Sequence, residues 1–232
     1  MRLGRWQTGN PTGTVGWFVA PAARSRHNGQ VFVLLDDAGR TIGGHKWGVY
    51  AFYDYDGEPV YVGQTCEGLR NRIGRRLTNQ RTDAVAMNVL DPFEVAEIRV
   101  WPLNLSRLSE AQQGEYLDRA EFTLFEKVIQ ESKLGAVLNE KPPAKTEQVA
   151  LPKSYARRII PESIYPHRKH PDVRIAHRAS TIASLARVIS ERKVSRGLRQ
   201  TLLTWARRLE RLAEDRLRDF PKGLDDLDYD QG

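Results

Sequence analysis

Residues 47–64, WGVYAFYDYDGEPVYVGQ, limit most strongly how this chain can fold. Two apolar, aromatic runs flank an acidic turn at 54–57, and the Asp-Gly pair of that turn supplies the positive φ that tight hairpins need. The stretch therefore predicts a β-hairpin. Pro59 has no amide hydrogen to donate, so it must lie at a strand start or face a sheet edge. Each run also carries a tyrosine beside a glycine, Tyr50 in the first run and Tyr61 in the second.

The residues after the hairpin predict the other parts of a small α/β core. Residues 67–79 place apolar side chains at spacings of four, which indicates a short helix with one buried stripe. Residues 93–101 alternate and are rich in strand formers, so we expect a third strand beside the hairpin. A helix is predicted at 109–132, and a short segment at 135–139 closes the core. The helix at 67–79 carries four arginines: Arg70, Arg72, Arg75 and Arg76.

The rest of the chain divides by composition. Two short apolar runs, 15–20 and 31–35, predict strands added at one edge of the sheet. A proline-punctuated basic stretch predicts a linker, and amphipathic patterns at roughly 176–191 and 195–219 predict two helices. The predicted organisation is an N-terminal β extension (1–45), a core (46–141), a basic linker (142–173), a helical basic region (174–220) and an acidic tail (221–232).

The net charge of +7 lies entirely in the C-terminal part. Residues 1–150 contain 18 Lys and Arg against 18 Asp and Glu, whereas residues 151–232 contain 18 against 11. Such an excess favours an acidic partner, nucleic acid or an anionic membrane surface. No run approaches the roughly eighteen apolar residues of a membrane helix, and the first residues lack the apolar centre of a signal peptide. We therefore expect a cytoplasmic protein with no membrane partner.

The apolar stripe of the second helical pattern in the C-terminal region leaves two alternatives open. The stripe packs back on the core, or it packs on a second copy of the chain and forms a homodimer. The single cysteine, Cys66, excludes an internal disulfide and a cysteine-based zinc site. The stripe consists of Leu198, Leu202, Trp205, Leu209 and Leu212.

One carboxylate of the helix predicted at 109–132 lies where carboxylates are costly. At about 100° per residue, Glu121 falls in the middle of the apolar face that contains Leu117 and Leu124. A charge there must be paired or coordinated, so a salt bridge to an arginine and a metal ion are both open. Glu126 falls toward the solvated side of the same helix.

Two tyrosines on paired strands, an arginine-rich helix and an inward carboxylate are the ingredients of a phosphodiester-cleaving site. That reaction needs a group that orients or activates water, a cation against the charge that develops on phosphorus, and usually a hard divalent metal on carboxylate oxygen. None of these residues is specific by itself, because tyrosine on strands also serves packing and an arginine-covered helix is usually a solvated face.

The order of these motifs resembles the GIY-YIG nuclease family. Gly48-Val49-Tyr50 is followed after ten residues by Tyr61-Val62-Gly63, then by an arginine on the next helix, a glutamate on a later helix and a closing asparagine. The resemblance covers about residues 46–141, two-fifths of the chain. It implies an α/β GIY-YIG core with a three-stranded antiparallel sheet flanked by helices, here with an N-terminal strand extension and a C-terminal basic helical region.

The resemblance also implies roles for individual residues. Tyr50 would orient or deprotonate the attacking water, Tyr61 would hydrogen-bond the water or the phosphate, and Arg72 would neutralise the phosphate. Glu121 would hold one Mg²⁺ or Mn²⁺, with Glu126 as the alternate ligand because its distance to the closing asparagine is closer to that of some relatives. The expected substrate contacts come from Arg70, Arg75, Arg76 and Asn139.

One position departs from the family pattern. Arg76 stands where many members have His, Lys or Tyr, and an arginine cannot accept a proton near neutral pH. His45 is the nearest group that titrates near neutrality, although an exposed loop histidine is the commoner reading of such a position. The chain is thus expected to be a metal-dependent DNA endonuclease, acting in restriction or phage defence, mobile-element processing or repair. The alternatives are a catalytically weakened nucleic-acid-binding module and a dimerising interaction protein.

Overall fold

The computed structural model describes residues 33–78 and 89–219, which form an α/β fold with a four-stranded antiparallel sheet and five helices. Among these residues no helix has both the length and the apolar character needed to cross a membrane. The strands are β1 (Trp47–Tyr53), β2 (Pro59–Thr65), β3 (Glu97–Leu103) and β4 (Tyr155–Arg158). The helices are α1 (Leu69–Leu77), α2 (Glu110–Glu131), α3 (Tyr165–Lys169), α4 (Pro171–Glu191) and α5 (Arg196–Arg218).

The predicted hairpin is confirmed and forms one side of the sheet. The strand order is β2-β1-β3-β4, and every neighbouring pair is antiparallel. Tyr50 lies opposite Gly63, and Phe52 lies opposite Tyr61. Gly57 has a φ of 73°, as the turn chemistry of the sequence predicts. Pro59 is the first residue of β2, so the amide hydrogen that it lacks does not interrupt the sheet.

The expectation of three strands is wrong by one. β4 comes from the segment predicted as a linker, and it pairs with β3 from Glu97 opposite Arg158 to Val100 opposite Tyr155. Its sequence, YARR, shows no apolar alternation because three of its four residues are exposed at the sheet edge. The end of the same segment is also ordered, since α3 lies within it and α4 begins at Pro171.

Both chain ends lie largely outside the described residues. Of the predicted N-terminal β extension, residues 1–32 cannot be compared with the prediction, and residues 33–45 contribute an isolated bridge between Leu35 and Thr41 and a short 3₁₀ turn at Ile42–Gly44. The acidic tail at 221–232 also lies outside the described residues.

Helices cover both faces of the sheet. On one face, Val49 and Ala51 of β1 pack against Leu117 and Leu124 of α2. The opposite face carries the rings of Tyr50, Phe52 and Tyr61, and its core includes side chains of α1, α4 and α5. The C-terminal helices are thus part of the same core as the hairpin.

The apolar stripe of α5 packs within the chain, which is one of the two alternatives that the sequence leaves open. Leu198, Trp205 and Leu212 are buried, and the indole nitrogen of Trp205 donates a hydrogen bond to the carbonyl oxygen of Val89 at 3.2 Å. Homodimer formation through these helices stays a prediction, and the side chains expected to drive it already have partners in the core.

A group of charged side chains joins α4 and α5 to the hairpin turn, and we call it the buried charge cluster. It consists of Asp54, Glu94, Arg174, Arg178 and Arg208, all at most 4% exposed. One carboxylate oxygen of Asp54 accepts from Arg208 at 2.7 Å and from Arg174 and Arg178 at 3.2 Å each. The other oxygen accepts two backbone N–H groups of the turn. Three arginines of the predicted basic surface are therefore buried ion-pair partners.

Candidate functional site

The two motif tyrosines lie side by side on adjacent strands, and glycine makes this arrangement possible. The ring centroids of Tyr50 and Tyr61 are 6.3 Å apart. A Cβ atom at Gly63 would lie 2.7 Å from the hydroxyl oxygen of Tyr50 and 3.0 Å from the ring of Tyr61. At Gly48 a Cβ would lie 2.9 Å from the carbonyl oxygen of Trp101. The glycines of both tripeptides are thus required by close packing.

Arg72 and Arg76 of α1 project toward the tyrosines. The guanidinium of Arg76 lies over the ring of Tyr61, 5.0 Å from its centroid. Burial works to lower the pKa of Arg72, but the hydroxyl groups of Tyr50 and Tyr61 outweigh it and raise the pKa. Arg72 therefore stays charged, and it lies close enough to both tyrosines to share a ligand with them.

Tyr50 is fully buried, and its hydroxyl group lies beside the Arg72 guanidinium without a well-aligned hydrogen bond to it. Burial raises the pKa of Tyr50 well above its ordinary value, and the Tyr61 hydroxyl adds to that rise, although Arg76 and Arg72 oppose it. The Nε atom of Arg72 is likewise buried without a partner. Two buried polar atoms without a well-aligned partner are costly, and either a small movement of the Arg72 side chain or a bound molecule would satisfy them.

The other two arginines of α1 lie on a different side of the helix. Arg70 and Arg75 are exposed and line a shallow hollow on the outer surface, where Arg75 forms an ion pair with Glu67. The structure thus separates the arginines of the predicted site into Arg72 and Arg76, which approach the tyrosines, and Arg70 and Arg75, whose predicted substrate contacts stay predictions.

Glu121 on α2 faces the same arginines from across the edge strand β2. Burial raises the pKa of Glu121 and is the largest influence on it. The hydrogen bond from Gln64 lowers this pKa, the charge of Asp118 raises it, and the charges of Arg72 and Arg76 lower it by smaller amounts. The half-buried position agrees with the helical geometry that placed this carboxylate inward. Glu126, the alternate ligand, is half-buried five residues further along α2.

Two residues of this region, Gln64 and Asp118, are not among the site residues predicted from the sequence. The side-chain amide of Gln64 donates to Asp118 at 2.7 Å, and both residues also act on Glu121. Asp118 could have been noticed because it precedes Glu121 by three residues and therefore shares its helix face. Gln64 follows Gly63 directly at the end of β2, but nothing in the sequence distinguishes it from an ordinary exposed strand residue.

Asn139 and His45 have structural partners. The amide oxygen of Asn139 accepts from the backbone N–H of Val62 at 3.0 Å, and its amide nitrogen donates to the Val62 carbonyl at 2.9 Å. This side chain ties the closing segment to β2, so its predicted substrate contact stays a prediction. His45 is buried rather than exposed, and its Nε2 lies 2.9 Å from a carboxylate oxygen of Asp36. That contact gives His45 a role in holding the preceding loop.

A cleft of about 850 Å³ opens beside the site, between the end of β2, α1 and the first half of α2. Of the site residues, Arg72, Gln64 and Asp118 line the cleft, so a molecule bound there would contact Arg72. The charges of the wall nearly balance, because two cations face three carboxylates. The charged residues are Lys46, Arg72, Glu67, Glu110 and Asp118. The cleft is roomy enough for a nucleotide but does not itself attract anions strongly.

The donor atoms at the site fit one kind of metal ion. Among the described residues no group of three or more His, Cys, Asp and Glu side chains could enclose a metal. Glu121 could instead hold one hard cation that keeps most of its water, which is how Mg²⁺ usually binds to proteins. The oxygen atoms of Glu121, Asp118 and the Gln64 carbonyl suit Mg²⁺ or Mn²⁺.

Comparisons of the chain with protein-family models, with curated proteins and with solved structures found no match. The resemblance to the GIY-YIG family therefore depends on the order of motifs in the sequence. The functional conclusion depends on the chemistry of the residues around Tyr50 and Glu121.

Proposed function

We propose that this chain is a GIY-YIG-type, metal-dependent endonuclease that hydrolyses phosphodiester bonds in DNA. The observation that best supports this proposal is the packing of arginines of α1 on paired tyrosines: the Tyr50 and Tyr61 rings are 6.3 Å apart, and the Arg76 guanidinium lies 5.0 Å from the Tyr61 ring. Arg72 acts electrostatically on Tyr50 and on Glu121 of α2. The site combines two tyrosines on adjacent strands with a cation and a half-buried carboxylate, and it lies beside an open cleft. This combination suits a reaction at a phosphate group.

Tyr50 fits the orientation of water better than the removal of its proton. Burial raises its pKa, so the hydroxyl group stays neutral at physiological pH. A neutral hydroxyl can donate one hydrogen bond and accept another. Its unsatisfied oxygen would therefore hold the attacking water or a phosphate oxygen in place, with Tyr61 beside it.

Arg72 would bind the scissile phosphate. A guanidinium presents several donors in a planar fork, and its unpartnered Nε adds a donor that is already desolvated. Arg76, stacked on Tyr61, would hold that ring and add positive charge. These charges oppose the negative charge that develops on phosphorus in the transition state.

Glu121 would hold the Mg²⁺ or Mn²⁺, with Gln64, which is itself hydrogen-bonded to Asp118, fixing the orientation of its carboxylate. The metal would supply positive charge at the scissile phosphate. Water attacks phosphorus in line with the departing sugar oxygen, the P–O bond to the leaving strand breaks, and a proton from water ends on solvent or on that oxygen.

A nucleic-acid-binding module without hydrolysis is the second candidate. It is favoured by the raised pKa of Tyr50 together with Arg76, because neither residue can accept a proton near neutral pH. In that case the site would hold a phosphate and leave it intact.

Plasmid nicking tests the proposal. Supercoiled DNA is incubated with the protein and Mg²⁺, Mn²⁺ or chelator, and nicked product is measured over time. We expect metal-dependent nicking that falls at least 10²-fold in Tyr50→Phe, Arg72→Ala and Glu121→Gln, comparable to the loss of a single transition-state contact. Tyr53→Phe is the matched control, since Tyr53 lies on the same strand but packs on the opposite face of the sheet.

The outcomes separate the two candidates. Loss of nicking in the three site variants with retention in Tyr53→Phe supports hydrolysis. Unchanged nicking in all three site variants contradicts the assignment of the site. Binding of DNA without nicking by the unaltered protein, under every metal condition, favours the binding module. Glu126→Gln added to the series decides between the two glutamates, because only the metal ligand should be sensitive.

A further inference from the structure

The turn between α4 and α5 is the most basic exposed segment of the C-terminal helices. Between 187 and 199 the chain has five cationic residues and one acidic residue, Glu191. Four of the cations surround the turn itself and are exposed, and we call them the turn surface: Arg192, Lys193, Arg196 and Arg199. Ser195 caps α5 here by accepting from the Leu198 N–H at 3.1 Å, so the positive end of the helix dipole lies at the same place.

Much of the other basic charge of these helices is already engaged. Arg174, Arg178 and Arg208 belong to the buried charge cluster, and Arg216 forms an ion pair with Asp172 at 2.8 Å. Three further arginines of α5 are exposed, but exposed acidic side chains accompany them, so the net positive charge is largest at the turn surface. These arginines are Arg207, Arg211 and Arg218, and the acidic residues are Glu210, Glu214 and Asp219.

Hydrogen bonds connect the turn surface to the candidate site. The hydroxyl group of Ser195 donates to a carboxylate oxygen of Glu140 at 2.8 Å. Gly197 packs so closely on Glu140 that a Cβ atom there would overlap the Glu140 carbonyl oxygen. The preceding residue, Asn139, is hydrogen-bonded twice to Val62, the neighbour of Tyr61 in β2. Glu140 and Asn139 thus join the start of α5 to the strand that carries a site tyrosine.

A second contact fixes the direction of α5. Arg208 donates to the carbonyl oxygen of Pro59 at 3.1 Å, at the start of β2. Thirteen residues of helix, about 20 Å, separate Arg208 from Ser195. The helix therefore runs from the site end of the sheet toward the hairpin turn. The turn surface is at the site end, and the charge-balanced cleft lies beside that end as well.

We propose that the turn surface binds the sugar–phosphate backbone of duplex nucleic acid and supplies most of the affinity for the substrate of the site. This inference rests on the proposed function for the identity of the ligand. Arginine and lysine bind phosphates without reading bases. The segment 186–200 contains no aromatic residue, so it lacks the stacking platform that single-stranded nucleic acid uses. A helix N-terminus adds backbone N–H donors for an anion.

Salt-dependent binding measures this directly. Affinity for a fluorescent DNA duplex of about 20 base pairs is determined by anisotropy from about 50 to 200 mM salt, in chelator so that no cleavage occurs. Each phosphate contact contributes about 0.9 to the slope of log affinity against log salt. Replacing all four residues of the turn surface by Gln should lower the slope by up to about 3.6 and weaken binding roughly 10²-fold at low salt.

The matched control removes the same charge elsewhere. Lys169, Arg207, Arg211 and Arg218 are exposed and lie away from the turn, and together they are changed to Gln. We expect the salt-dependence slope and the DNA affinity of this control variant to stay close to those of the unaltered protein. Thermal unfolding of both variants checks that each is folded. In the nicking assay the turn variant should show a raised KM with an unchanged kcat.

Each outcome supports or overturns the proposal. Equal losses in the two quadruple variants would mean that bulk charge alone acts, and no loss in the turn variant would mean that the turn surface does not bind. Tighter binding to a single strand, or no binding of duplex by the unaltered protein, would also overturn it. If the protein binds through the turn surface but never nicks DNA, the proposed function fails while this inference stands.

Discussion

Asp54 is the residue whose replacement most directly tests how the C-terminal helices are held. Its side chain is buried and accepts hydrogen bonds from three arginines and two backbone N–H groups. In Asp54→Asn the shape is kept, but the charge is lost and an NH₂ group faces three guanidinium groups. Removing one partner of a buried ion pair typically costs about 3–5 kcal/mol, because the remaining charges stay buried without compensation.

Asp56→Asn is the matched control in the same turn. Asp56 also pairs with Arg174, at 2.7 Å, but its side chain is 47% exposed. Exposed ion pairs contribute about 0–1 kcal/mol, so this change should cost at most about 1 kcal/mol. The two substituted positions are two residues apart in the same turn, and both substitutions remove one negative charge. Burial of the side chain is therefore the main difference between them.

Urea unfolding followed by tryptophan fluorescence measures both losses. We expect the free energy of unfolding to fall by about 3–5 kcal/mol in Asp54→Asn with an unchanged m-value. Equal and small losses in the two variants would refute the inference that the buried charge cluster holds α4 and α5 on the hairpin. If Asp54→Asn does not fold, Arg208→Lys provides a milder test, since it keeps the charge but loses the contact to Pro59.

Four further substitutions test the packing and the site. Gly63→Ala would put a methyl group 2.7 Å from a tyrosine hydroxyl and should destabilise the fold by about 1–3 kcal/mol, whereas Gly74→Ala, with nothing within 4 Å on a helix, should stabilise it by about 0.5–1 kcal/mol; thermal unfolding compares them. Trp205→Ala removes a fully buried side chain and should cost about 3–5 kcal/mol in urea unfolding; a loss under 1 kcal/mol would place α5 outside the core. Because burial raises the pKa of Glu121, its ionisation opposes folding, so stability from this group is present below the unfolded pKa and falls as pH rises through the folded pKa. The free energy of unfolding of Glu121→Gln should therefore exceed that of the unaltered protein by more at pH 7 than at pH 4, while nicking is lost. A Glu121→Gln variant that is less stable than the unaltered protein at pH 7 would contradict this.

Local chemistry made the main elements predictable. The hairpin follows from its Asp-Gly turn, and the predicted helices at 67–79, 109–132 and 195–219 agree within two residues with α1, α2 and α5. Helix periodicity and turn residues act over a few positions, so the sequence contains the whole signal. The strand predicted at 93–101 is shifted to Glu97–Leu103, because Asp91 caps a short 3₁₀ turn at Pro92–Glu94.

The pairing of distant segments was not predictable in the same way. β4 is a strand only because β3 offers it an edge, and YARR by itself has no strand pattern. At the site, the helical position of Glu121 was sufficient to predict an inward carboxylate, whereas its connection to Gln64 depends on where the end of β2 meets α2. Asp118 is exposed, and its hydrogen bond from Gln64 connects it to the site, so its sequence position alone could not identify it as a site residue.

The buried charge cluster explains why a basic segment cannot be equated with a binding surface. Arg174 and Arg178 are four residues apart on α4, which in sequence is the spacing of an ordinary solvated helix face. Their acidic partners lie 120 and 84 residues away, at Asp54 and Glu94, so no local pattern reveals the pairing. Burial removes these arginines from contact with any ligand. They hold α4 on the hairpin turn instead, and Arg178 also donates to the backbone carbonyl of Arg208 in α5. The turn surface, whose charges stay exposed, is then held near β2. Its position relative to the site therefore depends on buried arginines that cannot bind DNA themselves.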